Sequence, residues 1–195
     1  MLNERYPKLN RTDKRLESNI FALDIFTDSK MKEDDLKILG VIKNKRTYKY
    51  IAEKYIDKEK TNLFNYKVLL PKSNGSGTLG EVVSTPLIGT PLIGTPLIGY
   101  TRTFIGIGDF KTKSEADATL KYIKSKFARV MLGVLKVTQD NNPGKWKFVP
   151  LQDFTASSDI DWTKSIPEID QQLYKKYGLS EEEIDFIETH VKEMD

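Results

Sequence analysis

The feature that most limits what this chain can fold into is an exact threefold repeat of Thr-Pro-Leu-Ile-Gly at residues 85–89, 90–94 and 95–99. The proline in each unit removes a backbone donor and fixes φ, so no regular central strand can run through all three copies. Three units of five residues are also too few and too short for a solenoid. We therefore expect one copy to be strand-like and the extra copies to bulge out as a loop.

Strands are predicted where short runs of β-branched and aromatic residues lie between turn residues. Five segments share this composition: residues 38–42, 48–51, 66–70, 100–108 and 147–151. The first two flank a basic turn, Lys43-Asn44-Lys45-Arg46, and together they predict a hairpin. Trp146, beside the last segment, fits either a core position or an aromatic that contacts a ligand.

One long amphipathic helix is predicted over residues 114–136. Ser114 and Asp117 have the spacing of a capping box, with Asp in place of Glu. The face expected to be buried is an apolar stripe formed by Leu120, Ile123, Phe127, Val130, Met131 and Val134. The opposite face is basic with one aromatic, and it consists of Tyr122, Lys126, Arg129, Gly133 and Lys136. This basic face is either a contact surface for a polyanion or an ordinary solvated surface.

Capping residues predict two further helices in the tail. Ser165 and Pro167 begin the first, and Gly178 ends it in a Schellman motif. Ser180 begins the second, in which the late His190 suits the negative end of the helix dipole. The fold class is therefore predicted as α+β: a mixed β-sheet with one long amphipathic helix, followed by a two-helix acidic C-terminal extension.

Charge is distributed unevenly along the chain. Residues 1–152 carry 27 basic and 16 acidic side chains, whereas residues 153–195 carry 4 and 12. A basic body of this kind suits a polyanionic partner, although an ordinary lysine-rich surface would give the same count. We divide the chain into a domain at residues 1–155 and an acidic helical extension at 156–195.

Composition excludes several kinds of chemistry. The chain has no cysteine and a single histidine, which rules out thiolate catalysis and the usual zinc sites. Every apolar stretch is interrupted before it could span a membrane, and the first residues lack the apolar core of a signal peptide. These features predict a cytoplasmic protein without a membrane partner.

From about Tyr66 onward the chain resembles the C-terminal region of adenine-specific methylases from fused restriction-modification systems. The resemblance rests on residues 68–77, 84–89, 148–154, 159–162, 170–174 and 177–179. It is also similar to TaqI-like specificity domains and to the recognition domains of type I specificity subunits. In those domains a helix after the main strands precedes a short proline-containing strand, as residues 114–136 and 147–151 do here.

The resemblance implies that residues 1–155 form a DNA target-recognition domain and that duplex DNA is the partner. It also implies a methyltransferase domain or subunit of the same system, because the adenine motif Asn-Pro-Pro-Tyr has only Asn141-Asn142-Pro143-Gly144 as its nearest string here. We expect no catalytic residue, metal site or cofactor in this chain. S-adenosylmethionine and magnesium are expected only for a partner or parent enzyme.

Two kinds of side chain would make the DNA contacts. The cations expected on phosphates are Lys72, Arg102, Lys126, Arg129 and Lys136. The amides able to read adenine are Asn74, Gln139, Asn141 and Asn142. Nothing in the sequence selects one amide over another.

Two other interpretations remain at this stage. The strings Asp34-Asp35-Leu36-Lys37 and Asp57-Lys58-Glu59-Lys60 contain the carboxylates and lysine of a small magnesium-dependent restriction endonuclease, but such strings are common on solvated faces. The string Phe104-Ile105-Gly106-Ile107-Gly108 matches a methyltransferase glycine loop. It lacks the acidic residue and adenine motif that cofactor binding requires, so we interpret it as a strand.

Overall fold

A computed structural model describes residue 9 and residues 16–59, 61–85 and 89–194. The fold class is α+β, as predicted, and these residues form six strands in two three-stranded sheets. The strands are β1 (Asp35–Ile42), β2 (Lys45–Ala52), β3 (Tyr66–Pro71), β4 (Leu92–Gly94), β5 (Ile98–Tyr100) and β6 (Phe104–Phe110). The helices are α1 (Lys113–Lys124), α2 (Lys126–Gly133), α3 (Ile166–Tyr177) and α4 (Glu181–His190), with short 3-10 helices at Ile20–Ala22, Glu53–Tyr55 and Pro143–Trp146.

The two sheets differ in strand direction. In the first, of order β2-β1-β5, β1 pairs antiparallel with β2 and parallel with β5. In the second, of order β4-β3-β6, all pairs are antiparallel. Leu39 of β1, Leu69 of β3 and Phe104 of β6 form one buried cluster, so the two sheets share a core. The first sheet is mixed, as predicted, and the structure adds a second, antiparallel sheet.

The predicted hairpin is confirmed. β1 and β2 pair over their full lengths, from Asp35 opposite Ala52 to Ile42 opposite Lys45. The two connecting residues, Lys43 and Asn44, both have positive φ, at 48° and 62°. Positive φ at both positions is the requirement of a type I′ turn, whose twist matches that of the flanking strands.

The repeat contributes two strands rather than the one that we predicted. Residues 90–94 contain β4 and residues 95–99 contain most of β5, so two identical units pair in different sheets. The unit tolerates this because its glycine suits both places. A Cβ at Gly94 would lie 2.9 Å from Leu69 Cδ1, and one at Gly99 would lie 2.6 Å from Ile38 Cδ1. Of the first copy only Thr85 and Gly89 are described, and they form an isolated antiparallel bridge.

The third copy contains a strained turn that yields a stability prediction. Ile98 N donates to Thr95 O at 3.2 Å, Pro96 occupies the second turn position and Leu97 the third, with φ of 65°. This is the pattern of a type II turn, which favours glycine at the third position. We expect Leu97→Gly to raise the free energy of unfolding by about 1 kcal/mol, because glycine adopts positive φ without strain. Leu97 is half exposed, so the substitution removes little buried surface.

Urea unfolding would measure this change, and the second copy supplies a matched control. Leu92 occupies the same place in an identical unit but lies in β4 and packs against the Leu39 cluster. Leu92→Gly should therefore lower stability while Leu97→Gly raises it. Equal destabilisation by both substitutions would contradict the turn strain.

The predicted long helix is divided at Ser125. α1 ends there because Ser125 leaves the helical region, with ψ of 150°, and its side chain accepts from Ala128 N at 3.1 Å to begin α2. The residues that cap the start of α1 also differ from the predicted pair, Ser114 and Asp117. Thr112 is the N-cap residue and forms a capping box with Glu115, whose longer side chain reaches back to Thr112 N at 2.9 Å.

The strand predicted at residues 147–151 is absent, whereas both tail helices are confirmed. Asn142 caps the 3-10 helix Pro143–Trp146 by accepting from Gly144 N, and the chain is irregular from there to residue 151. Ser165 and Ser180 each form a capping box, and Gly178 ends α3 in the left-handed region at φ 64°. Local capping chemistry therefore decided this part of the fold.

The extension packs against the central helices. One buried cluster joins Tyr122 and Phe127 to Ile169, Leu173 and Ile187 of the tail helices. On the other side, Ile123 and Leu132 pack with residues of β3. α1 and α2 are therefore covered on two faces. Within the described residues, no helix is long and apolar enough to cross a membrane. The domain boundary at residue 155 remains a prediction.

Candidate nucleic-acid interface

Three backbone segments meet at one end of the sheets and, together with Glu17 and Ser18, line an open cleft of 880 Å³. Lys72 N donates to Thr103 O at 2.8 Å, which joins the end of β3 to the turn between β5 and β6. Asn141 N donates to Lys72 O at 2.8 Å and Asn74 N to Gln139 O at 3.0 Å, which add the segment before Pro143. We call this the polar cleft; it is lined by Glu17, Ser18, Lys72, Ser73, Ser76, Arg102, Thr103, Val137, Thr138, Gln139 and Asp140.

Two of the predicted phosphate-contacting cations line the polar cleft. The Lys72 side chain is 42% exposed and its Nζ lies 3.8 Å from Asp140 Oδ1, a loose ion pair. The Arg102 side chain is 35% exposed and pairs with the more exposed Glu17 at 2.6 Å. Exposed ion pairs of this kind contribute little to stability. Both cations thus lie partly exposed at the surface of the cleft.

The four predicted amides divide into exposed and structural groups. Gln139 is exposed at the wall of the polar cleft. Asn74 and Asn141 are buried; Asn74 Nδ2 donates to Pro71 O at 2.7 Å, and Asn141 Oδ1 accepts from Trp146 Nε1 at 2.7 Å. Asn142 is half buried and caps the following turn. Only Gln139 is thus placed to meet a base edge without rearrangement.

The basic helix face is not exposed, which corrects the sequence interpretation for three residues. Arg129 and Lys136 are each 2% exposed, and Lys126 is mostly covered by its ion pair with Glu188 of α4 at 2.5 Å. Two different segments cover these side chains: the acidic extension packs over Lys126 and Arg129, whereas Lys136 lies under the loop that carries Asn74 and Glu81. These three cations are largely buried and form contacts within the protein.

Arg129 connects three parts of the chain through backbone carbonyls. Its Nε donates to Lys124 O at 2.9 Å, its Nη1 to Gly80 O at 3.0 Å, and its Nη2 to Lys192 O. Burial lowers the pKa of its guanidinium to about 10, and the Asp170 carboxylate opposes that shift. Arg129 therefore fixes the loop after β3 and the C-terminal segment against α2.

Lys136 and Glu81 form the support of the cleft loop. Lys136 Nζ donates to Glu81 Oε1 at 2.7 Å and to Asn74 O at 2.9 Å. Glu81 also accepts from Ser76 N at 2.5 Å and from Gly77 N at 2.7 Å. Burial would raise the Glu81 pKa, but the hydrogen bonds from Lys136, Ser76 and Gly77 outweigh it and hold that pKa below its usual value. The pair thereby positions the loop that carries Ser73 and Ser76 to the cleft.

Sequence reasoning missed Glu81 and the hydroxyl groups of the cleft. The hydroxyls belong to Ser18, Ser73, Ser76, Thr103 and Thr138. The available signal was their position beside the predicted cations, since Ser73 follows Lys72 and Thr103 follows Arg102. Hydroxyl groups next to basic residues are common phosphate donors in protein–DNA complexes.

The carboxylate strings considered for a nuclease have local partners. Asp35 Oδ2 accepts from Met31 N and Lys32 N, both at 2.9 Å, and Asp57 Oδ1 accepts from Glu59 N. Lys58 forms an ion pair with Glu53, and Lys60 lies outside the described residues. Across the described ranges, no group of three or more His, Cys, Asp or Glu side chains is arranged to hold a metal ion.

The glycine string at residues 104–108 lies in β6 and pairs with β3, in agreement with its interpretation as a strand. Gly106 faces the side chain of Tyr100, since a Cβ there would lie 2.3 Å from Tyr100 Oη. The glycine is thus required by close packing between the two sheets.

The strand pairings show that several turns lie at the same end of the sheets as the polar cleft. β5 runs parallel to β1 with Tyr100 opposite Leu39, so the turn that carries Arg102 and the turn at Lys43 lie at the same end of neighbouring strands. β4 runs antiparallel to β3, so its beginning, next to the first repeat copy, lies at the Lys72 end of β3. We call this end the cleft end.

Comparison of the chain with protein-family models, curated proteins and solved structures finds no significant match.

Proposed function

We propose that this chain is the target-recognition portion of a bacterial restriction-modification enzyme and binds duplex DNA. The observation that carries the proposal is the polar cleft, where the chain brings together Lys72, Arg102 and Gln139 among several hydroxyl groups. Cations and hydroxyls would hold phosphates and fix the register, while Gln139 would meet a base edge. The restriction-modification part of the proposal comes from the sequence resemblance to methylase C-terminal regions from about Tyr66 onward. The reaction itself would belong to a methyltransferase domain or subunit.

A salt titration tests the proposal. The affinity for a random-sequence duplex should fall steeply with salt, because each neutralised phosphate adds about 0.9 to the slope of log affinity against log salt. The double variant Lys72→Glu with Arg102→Glu should lower that slope by about 2 and weaken binding at low salt at least tenfold. Fluorescence anisotropy of a labelled duplex measures both quantities.

A matched control separates the cleft from net charge. Lys164→Glu with Lys175→Glu makes the same change in charge at exposed positions of the acidic extension, so it should leave the slope nearly unchanged. A slope near zero for the unmodified chain, or equal effects of the two double variants, would remove the DNA-binding assignment. Magnesium-dependent nicking of plasmid by the purified chain would instead favour the endonuclease alternative.

A further inference from the structure

The tip of the β1–β2 hairpin is a second basic element at the cleft end. Lys43, Asn44 and Lys45 are all exposed, and we call these three residues the hairpin tip. Two of them have positive φ, so the tip is a tight turn with a fixed shape rather than a loose loop. Its side chains therefore leave the protein in defined directions.

The tip cations differ from the two cleft cations in having no carboxylate partner. Lys72 pairs with Asp140 and Arg102 with Glu17. Within the described residues, Lys43 and Lys45 have no ion pair, a property that they share with other exposed lysines. The next residue, Arg46, is already engaged, since it donates to Thr90 O and lies 5.9 Å from the Phe104 ring. Lys43 and Lys45 are therefore the cations of this turn that can meet a ligand.

The end of the hairpin is a two-stranded ribbon. Pairing between β1 and β5 ends at Leu39, whereas pairing between β1 and β2 continues through Gly40, Val41 and Ile42. Gly40 is buried and Val41 packs against the Leu39 cluster, so residues 42–45 are the part that extends from the protein. The major groove of B-DNA is about 8.5 Å deep and admits a two-stranded ribbon.

We propose that the hairpin tip enters the major groove, with the Asn44 amide reading a base edge and with Lys43 and Lys45 beside it. The proposal rests on the proposed DNA-binding function and adds the element that reads sequence. An asparagine amide offers one donor and one acceptor, which match adenine in the major groove. The lysines can reach guanine acceptors or the flanking phosphates. Because Lys72 and Arg102 lie at the same end of the sheets, the cleft would hold the backbone while the tip reads the groove.

Site-directed crosslinking tests where the tip lies. The chain has no cysteine, so one introduced cysteine carries a photo-crosslinker without a competing site. Lys45→Cys retains both positive-φ residues of the turn and should crosslink to a random-sequence duplex through bases. Ser73→Cys, exposed in the polar cleft, should crosslink mainly to the backbone, and Glu182→Cys on α4 should not crosslink.

These positions distinguish the two proposals. Crosslinking at Ser73→Cys without crosslinking at Lys45→Cys would overturn the role of the hairpin tip and leave DNA binding in the cleft. Loss of crosslinking at both positions, together with a flat salt titration, would overturn the proposed function and with it this inference.

A second variant removes the side chains of Lys43 and Asn44 while keeping the turn. Lys43→Gly with Asn44→Gly gives Gly-Gly, a pair favoured in a type I′ turn, so the melting temperature should be nearly retained. Affinity for the duplex that the unmodified chain selects from a random pool should fall about tenfold to a hundredfold, as expected for loss of a bidentate base contact. Weak binding to unrelated duplexes should persist. Unchanged affinity for the selected duplex would overturn the proposal.

Discussion

Lys136→Met is expected to destabilise the protein by about 3–5 kcal/mol, because it leaves the Glu81 carboxylate without its buried partner. For a chain of this length that loss corresponds to a melting temperature lower by roughly 10 °C. Urea unfolding measures the free energy directly. An exposed phosphate-contacting lysine would behave differently, since its loss would reduce the salt slope by about one unit without changing stability.

A double-mutant cycle provides the control for Lys136. Glu81→Gln removes the charge of the partner and retains one of the two oxygens, which accept separately from Ser76 N and Gly77 N. Lys136→Met in that background should therefore cost clearly less than in the unmodified protein. Equal costs in the two backgrounds would show that the ion pair does not support the cleft loop.

Removing two of the three repeat units is expected to abolish the cooperative fold, whereas removing one should lower the melting temperature by only a few degrees. Deletion of any single unit gives the same sequence, and the two remaining copies can fill β4 and β5. Only the first copy is then lost. Its ends already meet, since Gly89 N donates to Thr85 O at 2.8 Å. With one unit left, either β4 or β5 has no residues to form it.

Tyr100 decides which copies form the strands. It follows the third unit alone, pairs with Leu39 and packs against Gly106, and its Oη donates to Asn62 Oδ1 at 3.5 Å. A register moved by one unit would place Thr95 at that position. Circular dichroism during heating of the one-unit and two-unit deletions measures the contrast. Similar melting temperatures for the chain with two units and the chain with one unit would show that the fold does not require both β4 and β5.

The parts of the fold that the sequence predicted correctly are those decided by neighbouring residues. Ser180 and Glu183 specify the start of α4 within one turn, and the basic turn between β1 and β2 specifies the hairpin. The repeat was harder, because identical units have identical propensities and differ only in which strand lies beside them. Propensity therefore could not place one copy in each of two sheets.

The errors in the predicted site have a tertiary cause. Periodicity places Arg129 and Lys136 on the side of the helix opposite the apolar stripe, and that side would be exposed if the helix covered the sheet alone. The extension covers Arg129 and the loop after β3 covers Lys136. These long basic side chains can be buried because backbone carbonyls and the Glu81 carboxylate accept their hydrogen bonds. Lys72, Arg102 and Gln139 lie in the polar cleft because they occupy loops that end strands. Whether they contact DNA remains a prediction.

Because of the arrangement of the repeat, the number of repeat units can change without changing the residues of the core. A gain or loss of whole units keeps the reading frame, and Tyr100 retains the last two copies in β4 and β5. Added units would lengthen the loop before β4, where each doubling of loop length costs only about 0.6 kcal/mol. Because that loop lies at the cleft end, insertion or deletion of whole units would change the length of the loop at this surface by five residues at a time. The rest of the protein would stay the same.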